Sequence, residues 1–209
     1  MNSGQADPIL KLYRDHQAQF DLYRDLLLKW NETINLTAIT APDQIREFHF
    51  LDSLFLVPHL TPIHENVSRE TFSLLDIGSG PGLPGMAIKI VCPDLQVTLV
   101  DAVKKKCDFM KAVIRALGLT NIQVLHRTIK EGEAIGQFDF IVSRATFKMA
   151  QFIKMAMANL VPDGKILAMK GFEVMEEMKA CQVPIQEFVY TLPCSQQRRK
   201  VLVITKCFT

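Results

Sequence analysis

The chain has 209 residues, 48% of them hydrophobic and 22% charged, with a formal net charge of +2. That is one domain, or one domain with an extension, and enough apolar residue for a sizeable core. So mild a basicity does not by itself point to nucleic acid. No apolar run approaches the ~18 residues needed to cross a bilayer, and MNSGQADPIL has no basic-then-apolar leader pattern. The five cysteines are scattered, odd in number and without a C-x-x-C pair, which fits a reduced, cytosolic protein with no metal site.

Residues 1–70 read as a helical extension. Ile9, Leu12, His16, Phe20, Tyr23, Leu27 and Trp30 recur at three and four, a single stripe on one helix face. Asp7-Pro8 is its expected start. The aromatic stripe reads as core rather than as a platform for bases, and His16 as a packed core histidine. Asn31 to Pro42 reads as loop, Asp43 as the cap of a second helix through His49, and Asp52 to Leu60 as a third helix. Glu65 to Glu70 is the expected linker to a second unit over 71–209.

There the period changes. Strand-like runs at Phe72–Ile77, Val97–Val100, Ile122–Leu125, Phe138–Val142 and Ile166–Met169 alternate with helical ones at Gly85–Val91, Lys105–Leu117, Lys148–Leu160 and about Glu173–Cys181. Such alternation predicts a parallel sheet with right-handed crossovers. Glu187–Thr191 and Val201–Lys206 have no helix between them and predict an antiparallel hairpin at the sheet edge. The α/β architecture is Rossmann-like, seven-stranded and mostly parallel, and resembles the class I methyltransferase fold.

The most informative stretch is Leu74 to Gly85, LLDIGSGPGLPG. It is strand, glycine-rich turn and helix start, the setting of a nucleotide-type cofactor loop. Glycines permit positive φ and close backbone approach, and the N–H groups of the following helix face the ligand. Gly80-Pro-Gly82-Leu-Pro-Gly85 formally matches the dinucleotide pattern, but Asp76 would set a carboxylate toward a pyrophosphate. S-adenosylmethionine carries an ammonium and a sulfonium instead, so the Coulomb sign favours it. The plain alternative for Asp76 is a helix-capping or turn aspartate. Asp101, ending the next strand, is placed to accept from both ribose hydroxyls.

Asn35-Leu-Thr-Ala, His49-Phe-Leu-Asp-Ser-Leu54, Asp76 to Gly85, Ser143-Arg-Ala145 and Lys170-Gly171 occur in this order. Together they resemble the bacterial 16S ribosomal RNA guanine-N7 methyltransferases, also called glucose-inhibited division protein B, from about Tyr23 to Lys206. The resemblance implies methyl transfer from S-adenosylmethionine to N7 of a guanine in the decoding-centre region of small-subunit rRNA. It places cofactor contacts on Gly78, Gly80, Leu83, Asp101, the Thr128-Ile129 pair and Arg144. The family's acid at position 129 is isoleucine here, which leaves a backbone contact possible and a carboxylate contact not.

Guanine N7 has a free in-plane lone pair and no proton at neutral pH. Its methylation needs alignment, not a general base. The strand Phe138–Val142 accordingly ends in Ser-Arg-Ala, without the acceptors an amine would need, and Arg144 is the candidate catalytic residue. Cys194 superficially offers a nucleophile for carbon methylation, but it lies between the last two strands. Lys104–Lys106, Arg127, Arg144 and Lys170 fall at carboxyl ends of strands, where ligands sit in open α/β sheets. Arg198 and Arg199 are expected to fold back to the same rim. This predicts a positive mouth for 16S rRNA, with Arg127, Lys170, Arg198 and Arg199 contacting it. Ordinary solvated cations are the bland alternative. His49, Asp52 and Ser53 either orient the helices over the cofactor site or cap the next helix. Other readings are a class I methyltransferase of a small molecule or protein, and an NAD-type binding module.

Overall fold

The structure, a computed structural model, describes residues 3–60, 71–144, 147–171, 181 and 183–206, with the backbone alone at 3–6. Two helices, α1 (Ser3–Asp15) and α2 (Gln17–Asn31), open the chain. The apolar stripe is thus carried by two rods broken at His16, which has φ −120°. His16 is half-exposed at this break, with Nδ1 3.0 Å from the Leu12 carbonyl, and not in the core. Nor does the helix begin at Pro8, which lies inside α1. Proline there forfeits only its own hydrogen bond, close to a helix end whose first donors have no partner in any case. The stripe still forms core: Ile9, Phe20, Tyr23 and Leu27 are buried. The Phe20 and Tyr23 rings lie 5.0 and 5.1 Å from that of Phe50.

A third rod follows, made of α3 (Pro42–Ile45), a π-helical stretch (Arg46–Leu51) and α4 (Asp52–Leu54), with a 3-10 turn at Val57–His59. Asp43 does not cap it. Ala41 holds the cap position and Pro42 the first helical one, where proline's fixed φ suits and no N–H is wasted. Asp52 and Ser53 do not cap a third helix either. They lie within the rod, and the Ser53 hydroxyl donates back to the His49 carbonyl at 2.5 Å. The expected linker, Glu65–Glu70, and all of the expected helix at 173–181 except Cys181 lie outside the described residues.

Seven strands follow: β1 (Ser73–Ile77), β2 (Gln96–Asp101), β3 (Ile122–His126), β4 (Phe138–Arg144), β5 (Leu160–Gly171), β6 (Gln186–Thr191) and β7 (Arg198–Thr205). Their order is β3-β2-β1-β4-β5-β7-β6. The first five pair in parallel, and β7 runs antiparallel to both β5 and β6. The crossover helices α5 (Gly85–Val91), α6 (Lys104–Leu117) and α7 (Met149–Met157) fall close to their expected places. α7 stops three residues before Leu160 because of Asn159. This buried amide donates to the Met155 and Glu133 carbonyls and accepts the Ile135 N–H. Leu160 then already pairs with Phe138 on β4.

Alternate strand residues face opposite layers, as the two-residue period requires. Leu74, Val97, Leu99, Phe140 and Val142 pack with the N-terminal rods, α5 and α6. Leu75, Val100, Ile141, Ile166 and Leu202 pack with α7. The N-terminal rods therefore share a core with the sheet and cover one of its faces.

Candidate functional site

The turn after β1 is shaped by glycine. Gly78, Gly80 and Gly82 have φ of 74°, 57° and 97°, a left-handed region that disfavours other residues. The Gly78 and Ser79 N–H groups both donate to the Val100 carbonyl, at 2.9 and 3.0 Å, which ties the loop to β2. A Cβ on Gly80 would meet nothing within 4 Å, so the loop faces open space there. Behind it the packing is tight. A Cβ on Gly85 would come 2.6 Å from Leu99 Cδ2 and 2.9 Å from Asp76 Oδ2. From α2, the Tyr23 hydroxyl donates to the Pro81 carbonyl.

Two carboxylates flank this loop. Asp76 is fully buried, and its Oδ2 accepts the N–H of Gly85, the first residue of α5, at 2.8 Å. One oxygen thus does a capping residue's work. The other, Oδ1, is buried with no hydrogen-bond partner among the described residues. Burial pushes the Asp76 carboxyl up to about 7, against the Gly85 N–H and the Arg144 guanidinium. An acceptor stranded in this way is costly until a donor meets it. Asp101, ending β2, accepts the Gly80 N–H on Oδ2 and the Val103 N–H on Oδ1, each at 2.8 Å. Each oxygen keeps a second lone pair.

Arg144 ends β4 beside the loop, because Ser143 donates its hydroxyl to the Ile77 carbonyl at 2.9 Å. Arg144 Nη1 donates to the Phe48 carbonyl at 2.8 Å and lies 3.3 Å from His49 Nδ1. His49 Nε2 is 2.8 Å from Thr37 Oγ1, which also accepts the Ile39 N–H at 3.1 Å. A guanidinium can only donate, so Nδ1 carries the lone pair and Nε2–H donates to Thr37. Burial, and then Arg144, push the His49 pKa down to about 4. Asn31 holds the Thr37 turn: its Oδ1 accepts the Leu36 and Thr37 N–H groups, and its Nδ2 donates to the Thr37 carbonyl.

The remaining expected residues divide. Arg144, Lys170 and Arg199 line one cleft of about 450 Å³, with Phe48, His49 and Asp52 on its other wall. Arg199 reaches it because β7 starts opposite the end of β5, with Arg199 paired to Gly171. Lys170 Nζ donates to the Phe147 carbonyl at 2.6 Å. Arg198, Arg127 and Thr128 are exposed and are not among the residues lining this cleft, and Arg127 pairs with Glu133. Lys104–Lys106 open α6 at the carboxyl end of β2. The side chains of Leu83 and Ile129 are buried in the core, so only their backbone can face a ligand. Cys194 is exposed in the β6–β7 turn, its N–H donating to Glu47 Oε1 at 2.7 Å. Local sequence rules do not find Asn31, Glu47 or Tyr190. Thr37 lay inside the Asn-Leu-Thr motif without an assigned role.

The family model for rRNA small subunit methyltransferase G (GidB) matches residues 16–202 of this chain. The chain belongs to that family. A relative from Methylibium petroleiphilum, named ribosomal RNA small subunit methyltransferase G, is 41% identical over 179 residues, covering 86% of this chain and 79% of its own. A Geobacter relative of the same name is 36% identical over 215 residues, covering 98% and 95%. Among solved structures, a methyltransferase from Pyrococcus furiosus superposes with a TM-score of 0.58 at 16% identity, covering 93% of this chain and 99% of that one. A SAM-dependent methyltransferase from Aquifex aeolicus gives 0.56 at 18%, covering 78% and 92%. These likenesses show the class I methyltransferase fold. In this member of the rRNA small subunit methyltransferase G family, the glycine loop, Asp76 and Asp101 meet at the carboxyl ends of β1 and β2, with Arg144 at the end of β4. Among the described residues no helix is long and apolar enough to cross a membrane, and no group of three His, Cys, Asp or Glu is placed to hold a metal.

Proposed function

We propose that this protein transfers a methyl group from S-adenosylmethionine to N7 of a guanine in 16S rRNA, in the decoding-centre region, acting in the cytoplasm on the rRNA or a small-subunit particle. S-adenosylmethionine supplies an electrophilic methyl on a positively charged sulfur. The residues present fit it: the stranded Asp76 Oδ1 suits an ammonium, and the open space at Gly80 admits a ligand against the backbone. In this reading Gly78, Gly80, the backbone of Leu83, Asp101, Thr128, the backbone of Ile129 and Arg144 hold the cofactor. Arg127, Lys170, Arg198 and Arg199 hold the RNA. The helical extension over 1–70 acts with the catalytic unit over 71–209, contributing His49 and Asp52 to the cleft wall.

The observation that carries the N7 assignment is the state of His49. It is the imidazole at the mouth, yet its Nδ1 lone pair already faces Arg144 and burial lowers its pKa to about 4, so it is a weak base with its lone pair engaged. An N7 acceptor needs no base. Transfer forms an N7–C bond, breaks a C–S bond and moves the positive charge onto the purine. The protein's task is alignment, in which a well-held geometry supplies several kcal/mol. The test is incubation of purified protein with 16S rRNA or small subunits and S-adenosylmethionine, followed by N7-specific strand cleavage and primer extension. One new stop at a guanine is expected. Incorporation of methyl without N7-specific cleavage would overturn the assignment.

A further inference from the structure

Among the described residues, Asp52 is the only carboxylate lining the cleft beside Arg144. It is 6% exposed, and its two oxygens differ. Oδ1 accepts the Tyr190 hydroxyl at 2.7 Å, and the Tyr190 ring stacks on Phe55 with centroids 4.2 Å apart. Oδ2 has no hydrogen bond among the described residues; its ion-pair contact, Arg144 Nη1, is 3.9 Å away. One oxygen is therefore fixed and the other is left to offer. Around it stand three donors, Arg144, Lys170 and Arg199, and the apolar surfaces of Phe48 and Met169. The volume, about 450 Å³, is within the range of pockets that enclose small planar ligands.

This pattern of one acceptor facing several donors discriminates among bases. Guanine presents two adjacent donors, N1–H and the N2 amino group, and two adjacent acceptors, O6 and N7. Adenine would turn its N1 lone pair toward the carboxylate. Uracil offers one N–H, and cytosine an amino group beside a ring acceptor. Only guanine gives a carboxylate two N–H groups on one edge while turning acceptors toward cations. A carboxylate on that edge also leaves N7, on the far ring, uncovered, and sets negative charge beside a ring that becomes cationic. The edge is available once the base is unpaired and extruded.

We propose that Asp52 is the specificity-determining residue that reads the target guanine, accepting from N1–H and the N2 amino group, with the cleft cations on the O6 side. This rests on the function proposed above and deepens it.

The test compares 16S rRNA joined from two pieces so that the methylated position carries guanosine or inosine, which lacks the N2 amino group. A hydrogen bond to a charged acceptor is worth about 10- to 100-fold. Wild-type protein is expected to lose that much kcat/KM on inosine. With Asp52→Asn, kcat/KM on guanosine falls by a similar factor, and the guanosine-to-inosine ratio shrinks below about threefold. Equal rates on the two substrates with wild-type protein, or an unchanged ratio in the variant, would overturn the proposal. The wild-type comparison decides if the variant does not fold. Failure to methylate the guanosine substrate at all would instead sink the N7 reading.

Discussion

Arg144 and His49 meet Nη1 to Nδ1 at 3.3 Å, 95 residues apart in sequence, and the contact sets the tautomer of His49. The guanidinium donates and cannot accept. The imidazole then carries its lone pair on Nδ1, and its Nε2–H donates to Thr37 Oγ1. A strand end from the sheet and a π-helical rod from the extension are thereby locked across the cleft.

Arg144→Ala should lower single-turnover methylation on the order of 10²-fold at saturating cofactor, the scale of a lost positioning contact. The Phe48 carbonyl loses a donor, so stability should fall by about 1–3 kcal/mol. Arg144→Lys should recover part of both, because Phe48 and His49 are met by one nitrogen, Nη1, which an ammonium can replace as a donor without the guanidinium plane. An alanine variant with the wild-type rate would remove Arg144 from the machinery.

His49 predicts an acid slope in stability. Its pKa is depressed from 6.5 to about 4, so its stabilising contribution is present above 6.5 and is lost as pH falls from 6.5 toward 4. The slope from one such group is at most about 1.4 kcal/mol per pH unit. Asp76, raised from 3.8 to about 7, acts oppositely: its contribution is present in acid and lost as pH rises toward 7. Urea midpoints of the wild type alone would blur the two. The difference between wild type and His49→Gln isolates His49, and it should shift against the wild type as the pH is taken from 6.5 to 4.5. A constant difference would mean that His49 is not held neutral.

Asp76 also predicts how cofactor affinity varies with pH. An ammonium opposite Oδ1 favours the charged carboxylate, so binding expels a proton below about pH 7. The affinity for S-adenosylhomocysteine should rise with pH, by at most about tenfold per unit, and level off above 7. The single-turnover rate at saturating cofactor should stay nearly flat from about pH 7 to 8.5. A rate that climbs steeply there would show an acceptor that must be deprotonated.

The sheet was legible because each buried strand is a short apolar run and each crossover a distinct period, and the glycine loop because its residue types are demanded by backbone geometry. The break at His16 was not, since the stripe runs on unchanged across it and only the backbone turns. Of the two readings of Asp52, the cap fails for a related reason. Local rules see an acid followed by serine and infer a cap, while its partner Tyr190 lies 138 residues away on an edge strand. Asp76 was legible as chemistry, through its charge, but its split role needed Gly85 in space. Arg199 joined the cleft because β7 starts earlier than its apolar residues do.

Two glycines of the loop should respond differently to alanine. Gly85→Ala drives a methyl into Leu99 and Asp76 and disturbs the N–H that Asp76 accepts; overpacking of this kind costs about 1–3 kcal/mol. Gly80→Ala meets no atom and pays about 1–2 kcal/mol for its left-handed φ, but its methyl projects where the cofactor is proposed to lie. Calorimetric titration with S-adenosylhomocysteine should show binding lost in Gly80→Ala while its circular dichroism spectrum is unchanged. Full affinity in that variant would move the cofactor away from the loop.

Binding of 16S rRNA should fall steeply with salt, and binding of S-adenosylhomocysteine much less. Arg144, Lys170 and Arg199 line one cleft, and Lys104–Lys106 open α6 on the same edge of the sheet, so a net charge of only +2 hides a local cluster. Each phosphate neutralised releases condensed counterions and adds about −0.7 to the log–log slope on single-stranded RNA, or about −0.9 on a duplex. The proposed cofactor site offers instead buried carboxylates and backbone N–H groups, where screening is weak. Arg199→Gln should therefore flatten the RNA slope by about one unit and leave cofactor affinity within twofold. Arg127→Gln should flatten it less, because its guanidinium is already paired with Glu133, and a phosphate must compete with that carboxylate. Filter binding across a salt series reads both variants. A flat wild-type curve, or a larger effect at Arg127 than at Arg199, would move the RNA to a different face of the sheet.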